Sequence, residues 1–381
     1  MHVTVVGGGI VGVACAYYLS QEDIDVTLYE KSRLGAGSTG YGGGIRTQYS
    51  TPANVILSIE SKRVWDDFED EFGVDIRHRP TGYLFLAREE DTAEKLRADV
   101  EMQNELGVSN EFLSPEEATA YCPELHAEQF VGASYSPDDE FVDPHLALQG
   151  YADAARGAGT DVREGVEVTA VYQDEGGTVT GVETTEGRQV TDFVVNAAGA
   201  WAGDVAELAG INIPVKPTLR RLLLVEPAES SPETLPLTMD LDGGAVFYPE
   251  DSEVMVISGH TETLVEADPD AYQSNVDLPW TTDVLEGVTE LAGYFGPDTE
   301  VRDSITGLYA LTPDQNPIIE ESIPGFINAV GFSGHGFMHA PATGQIVSEL
   351  VVDGTASLAD VSEFSSSRFE RGATTDEQNF I

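Results

Sequence analysis

Gly7, Gly9 and Gly12, in the run HVTVVGGGIVGVACAYYLS, have the types and the spacing to seat a phosphate chain. Residues 3–6 read as a short buried strand and residues 11–19 as a buried helix. Gly7 permits the tight turn between them, Gly9 lets backbone approach a pyrophosphate, and Gly12 lets the helix pack on the strand. The helix N-terminus, with Ile10 and Val11, then presents N–H groups to the phosphates. A second strand over 25–29 ends at Glu30, about 20 residues on, where an acid accepts hydrogen bonds from a ribose. Strand, turn, helix, strand and terminal acid together predict a bound adenine dinucleotide. The plainer alternative is a glycine-rich turn in some other α/β domain.

Three further features favour FAD over NAD. The loop after Glu30 is basic and then crowded with glycine and hydroxyls: Lys31, Arg33, Gly35, Gly37, Ser38, Thr39, Gly42, Gly43 and Gly44. Such a loop lies along a pyrophosphate and then passes close to a flat ring, unless it is simply a mobile surface loop. The apolar strand in TDFVVNAAGAW ends in small residues, so that backbone at Ala198 and Gly199, next to Trp201, approaches the same cofactor. GFSGHGFMHAPATG sets a glycine turn (Gly334, His335, Gly336, Phe337, Met338) before a helix over 340–352. That helix N-terminus suits negative charge at the flavin N1–C2=O edge.

These turns need a scaffold. Residues 54–72 have helical periodicity, 82–87 read as a strand, 91–106 as an exposed helix, and Ser114 with Glu117 as a capping box. A helix over 144–158 leads back to the nucleotide unit, and 166–195 read as hairpins. RRLLLVE, AVFYP and EVMVISG are strands, 281–295 a helix and 325–330 a strand. The Ser-rich end, SEFSSSRFERGATTDEQNF, reads as a loosely held tail. The expected fold is α/β: a discontinuous Rossmann-like FAD-binding domain from 1–80, 143–215 and 300–381. A second, α+β substrate domain, from 81–142 and 216–299, is built on a mixed, mainly antiparallel sheet. The cleft between them is the place for a small ligand.

Lys and Arg number 19 against 67 Asp and Glu, a formal net charge of −48 over 381 residues. Such self-repulsion is tolerable where salt screens it, which implies a halophilic source. It excludes nucleic acid and anionic membranes as partners. The first strand begins almost at Met1, leaving no room for a signal peptide, and no apolar run nears the length of a membrane span. A cytoplasmic location is expected. Cys15 and Cys122 form no disulfide framework and no metal-ligand spacing, and read as small buried hydrophobes.

VVGGGIVGVACAYYL, GGGIR, TGYLFLA, VVNAAGAWAG, GLYALTPDQNPII and GFSGHGFMHAPATG span almost the whole chain. In them the sequence resembles the D-amino-acid oxidase superfamily of FAD enzymes, nearest the sarcosine oxidase β-subunit and sarcosine or proline dehydrogenase branch. The resemblance implies a two-domain fold and oxidation of a C–N bond in a small amino acid. It implies Glu30 on the adenosine ribose, the backbone around Val168 at the adenine, and Ser38 and Thr39 near the pyrophosphate. Gly43, Gly44, Ile45 and Arg46 would border the isoalloxazine ring. Gly307 and Gly334 to Met338 would flank its other side.

Two departures from that pattern matter. The monomeric sarcosine oxidases tether FAD through a cysteine where this chain has Gly307, so FAD is expected to be held without a covalent bond. Their oxygen-assisting lysine is replaced by Val256, if VMVISGH is the matching strand, and a carboxylate-binding lysine by Met338. The expected enzyme is therefore a dehydrogenase that passes electrons to an acceptor such as another protein subunit or a quinone. Arg46 is the first candidate for capturing the substrate carboxylate, since guanidinium binds it in a bidentate way; its bland role is a salt bridge. His335 beside the flavin, His260 at a strand end, and Tyr309 and Tyr248 closing the pocket complete the candidates. Each of these is otherwise a satisfied core side chain. The competing readings are a glycine or D-amino-acid oxidase, and a flavin-bearing subunit of a larger electron-transfer complex.

Overall fold

β1 (His2–Val6), HVTVV, is buried from Val3 to Val6 and lies in the middle of a mainly parallel sheet, where both faces are covered. It pairs with β2 (Asp25–Glu30) on one side and β12 (Phe193–Asn196) on the other, Val3 opposing Val26 and Phe193. The computed structural model describes residues 1–37, 42–250, 253–259, 265–272 and 275–379. Among these, β8 (Asp161–Glu164) extends the sheet beyond β2. Beyond β12 come β19 (Phe326–Val330) and the antiparallel edge strand β18 (Ile318–Ile323).

Helix α1 (Ile10–Ser20) is buried nearly all round, packed against α6 (Pro144–Gly157) and α9 (Gly336–Asp353). Gly344 of α9 makes this approach possible, because a Cβ there would lie 2.6 Å from the Tyr18 ring and 2.9 Å from backbone of Ala14. A smaller antiparallel sheet of β9 (Val168–Gln173), β10 (Val179–Thr184) and β11 (Gly187–Val190) supplies the expected hairpins. The short helix α7 (Ala202–Leu208) follows β12.

The second sheet has β17 (Glu300–Leu311) at one edge, next to β13 (Lys216–Glu226) and β16 (Met255–Gly259). It continues through β15 (Ala245–Pro249), β14 (Leu237–Asp240) and β4 (Tyr83–Ala87) to β6 (Gly132–Ser136) and β5 (Glu111–Leu113). Its ladders are antiparallel except β14–β4. Helix α8 (Leu278–Leu291) packs on β15 and β16, and α4 (Glu90–Glu105) on β4 and β6. The capping box at Ser114 forms as expected and opens α5 (Pro115–Ala118). Between the two sheets, β3 (Gly43–Ile45) pairs with β7 (Glu140–Val142), while α2 (Pro52–Asp66) and α3 (Phe68–Phe72) pack below. Among the described residues no helix is long and apolar enough to cross a membrane.

The structure departs from the sequence reading in three places. Residues 300–311, grouped there with the nucleotide-binding segments, form β17 and pair along β13 from Lys216↔Leu311 to Glu226↔Glu300. Helix α9 begins at Gly336, about one turn earlier than expected, so Pro341 falls inside it. Pro341 reads in sequence as a first-turn residue, whereas the turn made by 336–338 faces the interior of the molecule. Thirdly, the C-terminal segment is not a loose tail. Arg368 of α10 (Ser367–Arg371) and Glu377 are buried at 3% and 1% exposure. Arg368 forms a two-point ion pair with Asp314, at 2.6 and 3.0 Å. Composition suggested mobility, but these polar groups find buried partners.

Candidate active site

Gly7 takes φ +109°, and a Cβ there would sit 2.5 Å from the Ala197 carbonyl oxygen. A Cβ at Gly12 would lie 1.9 Å from the Gly7 oxygen. Both positions therefore require glycine, and they set the first turn of α1 against the end of β12. Gly9 is the N-cap of α1 and His335 that of α9, and neither side chain caps its helix. Both helix N-termini, each with the partial positive charge of its aligned peptides, border one cavity of about 310 Å³.

The cavity brings together many of the candidates. Gly9, Ile10, Val11, Gly44 and Arg46 line it, with Gly199, Tyr248, Gly307, Tyr309 and the whole run Gly334 to Met338. Gly43 and Ile45 lie in β3 just behind it, where a Cβ on Gly43 would meet the Val142 carbonyl oxygen at 2.1 Å. Ala198 precedes the Gly199 turn, and Val168 starts β9, buried at 7% exposure. Glu30 accepts from the Gly8 N–H at 2.8 Å and from the Ser32 N–H at 2.8 Å, so it ties down the glycine turn itself. Lys31 and Trp201 meet outside the cavity. The Lys31 ammonium lies 4.2 Å from the Trp201 ring centre, and both side chains bind Asp270, at 2.7 and 2.9 Å. Ser38, Thr39 and His260 lie outside the described residues. A wider hollow of about 730 Å³, between α7 and residues 266–269, is lined by neither the α1 nor the α9 N-terminus.

Arg46 is 1% exposed and makes no ion pair within the described residues. Its guanidinium lies over the Tyr49 ring at 4.3 Å and donates through Nη1 to the Gln48 carbonyl at 3.1 Å. A surface salt bridge is thus ruled out as its role. The adjoining Thr47 is anchored by the buried Asp139, which accepts from its N–H at 2.8 Å and its hydroxyl at 2.9 Å. Burial pushes the Asp139 carboxyl up to about 7, against the opposing pull of the Thr47 and Ser136 hydrogen bonds and the Arg46 charge.

His335 is 2% exposed, and burial, then the Arg46 charge, hold its pKa well below the ordinary value, so the ring is neutral. One turn on, burial takes His339 down to about 3, and its Nε2 pairs with Ser58 at 2.9 Å. The Tyr49 ring contacts both imidazoles, at 5.2 and 5.0 Å, and its hydroxyl donates to the Met338 sulfur. Tyr309 lies flush on Gly334, where a Cβ would fall 2.5 Å from the ring. Tyr248 stacks on Phe141 at 4.7 Å, and Tyr83 closes the same wall.

Tyr49, Tyr83, Asp139 and His339 were not among the residues expected from sequence, nor was Arg220, which lines the cavity with its guanidinium 5.1 Å from the Tyr309 ring centre. The HGFMH spacing, four residues apart before a helix, was the available signal for His339. Asp139 is one acid among 67 and carried none.

The family described as FAD dependent oxidoreductase matches residues 2–350. The chain belongs to that family. FAD-dependent oxidoreductase domain-containing protein 1 of Xenopus laevis is 31% identical over 428 residues, covering all of this chain and 84% of that protein. The crystal structure of L-proline dehydrogenase from P.horikoshii superposes with TM-score 0.88 at 32% identity, over 97% of this chain and 98% of that one. Human mitochondrial sarcosine dehydrogenase is 27% identical over 367 residues, which are 93% of this chain but 40% of that protein. The oxidoreductase uses FAD, and its own geometry fits that cofactor. A glycine turn without room for side chains and two helix N-termini without side-chain caps surround one cavity, and aromatic and aliphatic walls enclose the rest.

Proposed function

We propose that this FAD-dependent oxidoreductase oxidises the C–N bond of a small secondary or N-methyl amino acid, sarcosine- or proline-like, and works as a dehydrogenase. The observation that carries the reading is Arg46: a buried guanidinium, with no ion pair among the described residues, that lines with Arg220 a cavity whose remaining walls are largely apolar. Burying such a charge is costly unless an anion completes it, and an amino-acid carboxylate matches its fork.

In this reading Gly7, Gly9 and the α1 N-terminus would hold the pyrophosphate. The backbone around Val168 would meet the adenine, and the α9 N-terminus would stabilise negative charge on the flavin ring. Bound FAD supplies the hydride acceptor, N5. Arg46 fixes the substrate's carboxylate, while Tyr248, Tyr309 and Tyr83 exclude water from its carbon chain. The same burial and the nearby Arg46 charge disfavour an ammonium, so the amine gives its proton to bulk water as it enters. His335, neutral, adds no charge that would repel the forming iminium. The imine product then hydrolyses in water.

The dehydrogenase assignment draws on the absence of lysine from the cavity lining, with Met338 and the core residue Val256 in the relevant places. A non-covalent cofactor fits the burial of both cysteines away from the cavity. The reduced enzyme would hand its electrons to another protein subunit or a quinone.

The test is anaerobic bleaching of the yellow protein, purified in high salt, with L-proline, sarcosine, N,N-dimethylglycine, glycine and D-alanine. Bleaching by a secondary or N-methyl amino acid, with slow recolouring in air, is expected. Fast recolouring after glycine or D-alanine would replace this reading with an oxidase. Activity appearing only with a co-purifying chain would make the protein a subunit. Acid precipitation is expected to leave FAD in the supernatant.

A further inference from the structure

Glu377 is a carboxylate buried at 1% exposure in a chain of net charge −48, with no cation beside it among the described residues. Burial of that kind is unfavourable unless hydrogen bonds replace water. Five do. Oε1 accepts from the Ser50 N–H and hydroxyl, both at 2.8 Å, and from the Asn379 N–H at 3.0 Å. Oε2 accepts from the Thr51 hydroxyl at 3.1 Å and the Asn54 amide at 3.0 Å. The charge also lies at the N-terminus of α2, which begins at Pro52.

The segment carrying Glu377 is itself pinned. Glu377 N–H donates to the Asp314 carbonyl and Asn316 donates to the Thr375 carbonyl. The Asn379 amide reaches Asp99, and the Gln378 N–H reaches the Ser50 hydroxyl. What it grips is the stretch next to Tyr49, whose carbonyl is held from the other side by Gln103 at 2.7 Å. The Tyr49 ring is the platform under Arg46. The Arg46–Thr51 stretch is thus clamped at both ends, by Asp139 through Thr47 and by Glu377 through Ser50 and Thr51.

We infer that Glu377 is a positioning residue of the active site, acting through Ser50 and Tyr49 to hold the Arg46 guanidinium where it meets the substrate carboxylate. The inference rests on the reading of Arg46 given above. A displacement of about 1 Å in such a clamp is enough to weaken capture many-fold.

The experiment measures binding of cyclopentanecarboxylate, a carboxylate without an amine, to the FAD-loaded enzyme by perturbation of the flavin spectrum. FAD content and melting temperature are read in parallel. Arg46→Gln, Glu377→Ala, Glu377→Gln and the double variant Arg46→Gln/Glu377→Ala are compared. Expected are unchanged FAD content and a Kd raised about tenfold by Glu377→Ala. Glu377→Gln, which keeps the acceptor facing Ser50, should fall between. In the Arg46→Gln background, Glu377→Ala should then add nothing further, the signature of one residue acting through the other. With L-proline or sarcosine the same variants should raise KM more than they lower kcat. A lower melting temperature with unchanged Kd would make Glu377 merely structural and overturn the inference. So would additive effects in the double variant. An unchanged Kd in Arg46→Gln alone would instead bring down the Arg46 reading, and the inference with it. If Glu377→Ala does not fold, the Glu377→Gln comparison decides.

Discussion

At the residue scale, the site is a set of charges made tolerable by specific neighbours. Arg46 is buried over Tyr49, and a lysine there would present a point charge without the fork. Arg46→Lys should raise KM for the amino acid about tenfold or more while FAD stays bound, as steady-state kinetics on yellow protein will show. Asp139 gives a pH signature. Its folded pKa of about 7 lies above its ordinary 3.8, so its contribution to stability is fully present below 3.8 and is lost as pH rises through about 7. Asp139→Asn keeps an acceptor for Thr47 but removes that loss. Its melting temperature relative to wild type should be most favourable above about pH 7.5 and the advantage should shrink towards about pH 5. His335 and His339 have lowered values and run oppositely, favouring the folded state above 6.5 and losing that share as pH falls. Sequence alone pointed to Arg46 and His335, because a glycine-rich context marked them, and both line the cavity. It hid Asp139 and Glu377, because burial is what distinguishes them from the many acids at the surface.

At the element scale, the turns decide. Gly12→Ala places a Cβ 1.9 Å from the Gly7 oxygen, where only backbone can yield. A cost of about 3 kcal/mol and loss of FAD on gel filtration are expected. Gly157, in the last turn of α6, has nothing within 4 Å of an added Cβ and no positive φ. Gly157→Ala should instead raise stability by about 0.5 kcal/mol in denaturant titration. The β1–α1–β2 unit was legible because its periodicity and its glycine spacing agree. The capping box at Ser114 was legible because two side chains three positions apart define it. The start of α9 was not, since Pro341 imitates a first-turn residue and the true first turn is fixed by contacts from distant strands. The strand order of the larger sheet was likewise hidden, because β4 lies between β14 and β6 through long-range pairing that no local pattern announces.

At the scale of the whole molecule, 67 acids against 19 bases make salt a structural variable. Between about 0.1 M and about 1 M salt the Debye length falls from roughly 10 Å to 3 Å. The melting temperature should climb across that range in KCl, by calorimetry, and a flat response would dismiss a halophilic origin for the charge. The two-sheet organisation was foreseeable from alternating segments, but the packing of residues 375–379 against residues 50–54 was not. Polar composition says nothing about whether Ser, Asn and Glu find partners.

The central position of β1 also bears on biosynthesis. A ribosome delivers this strand long before one of its two neighbours, β12, which begins only at Phe193, and β19 comes later still. Until then the nascent chain carries an apolar strand with one edge open, the kind of edge that recruits foreign strands. Production of this protein in a heterologous cell is therefore expected to depend on chaperone supply and translation speed more than on the strength of any single contact in the finished fold.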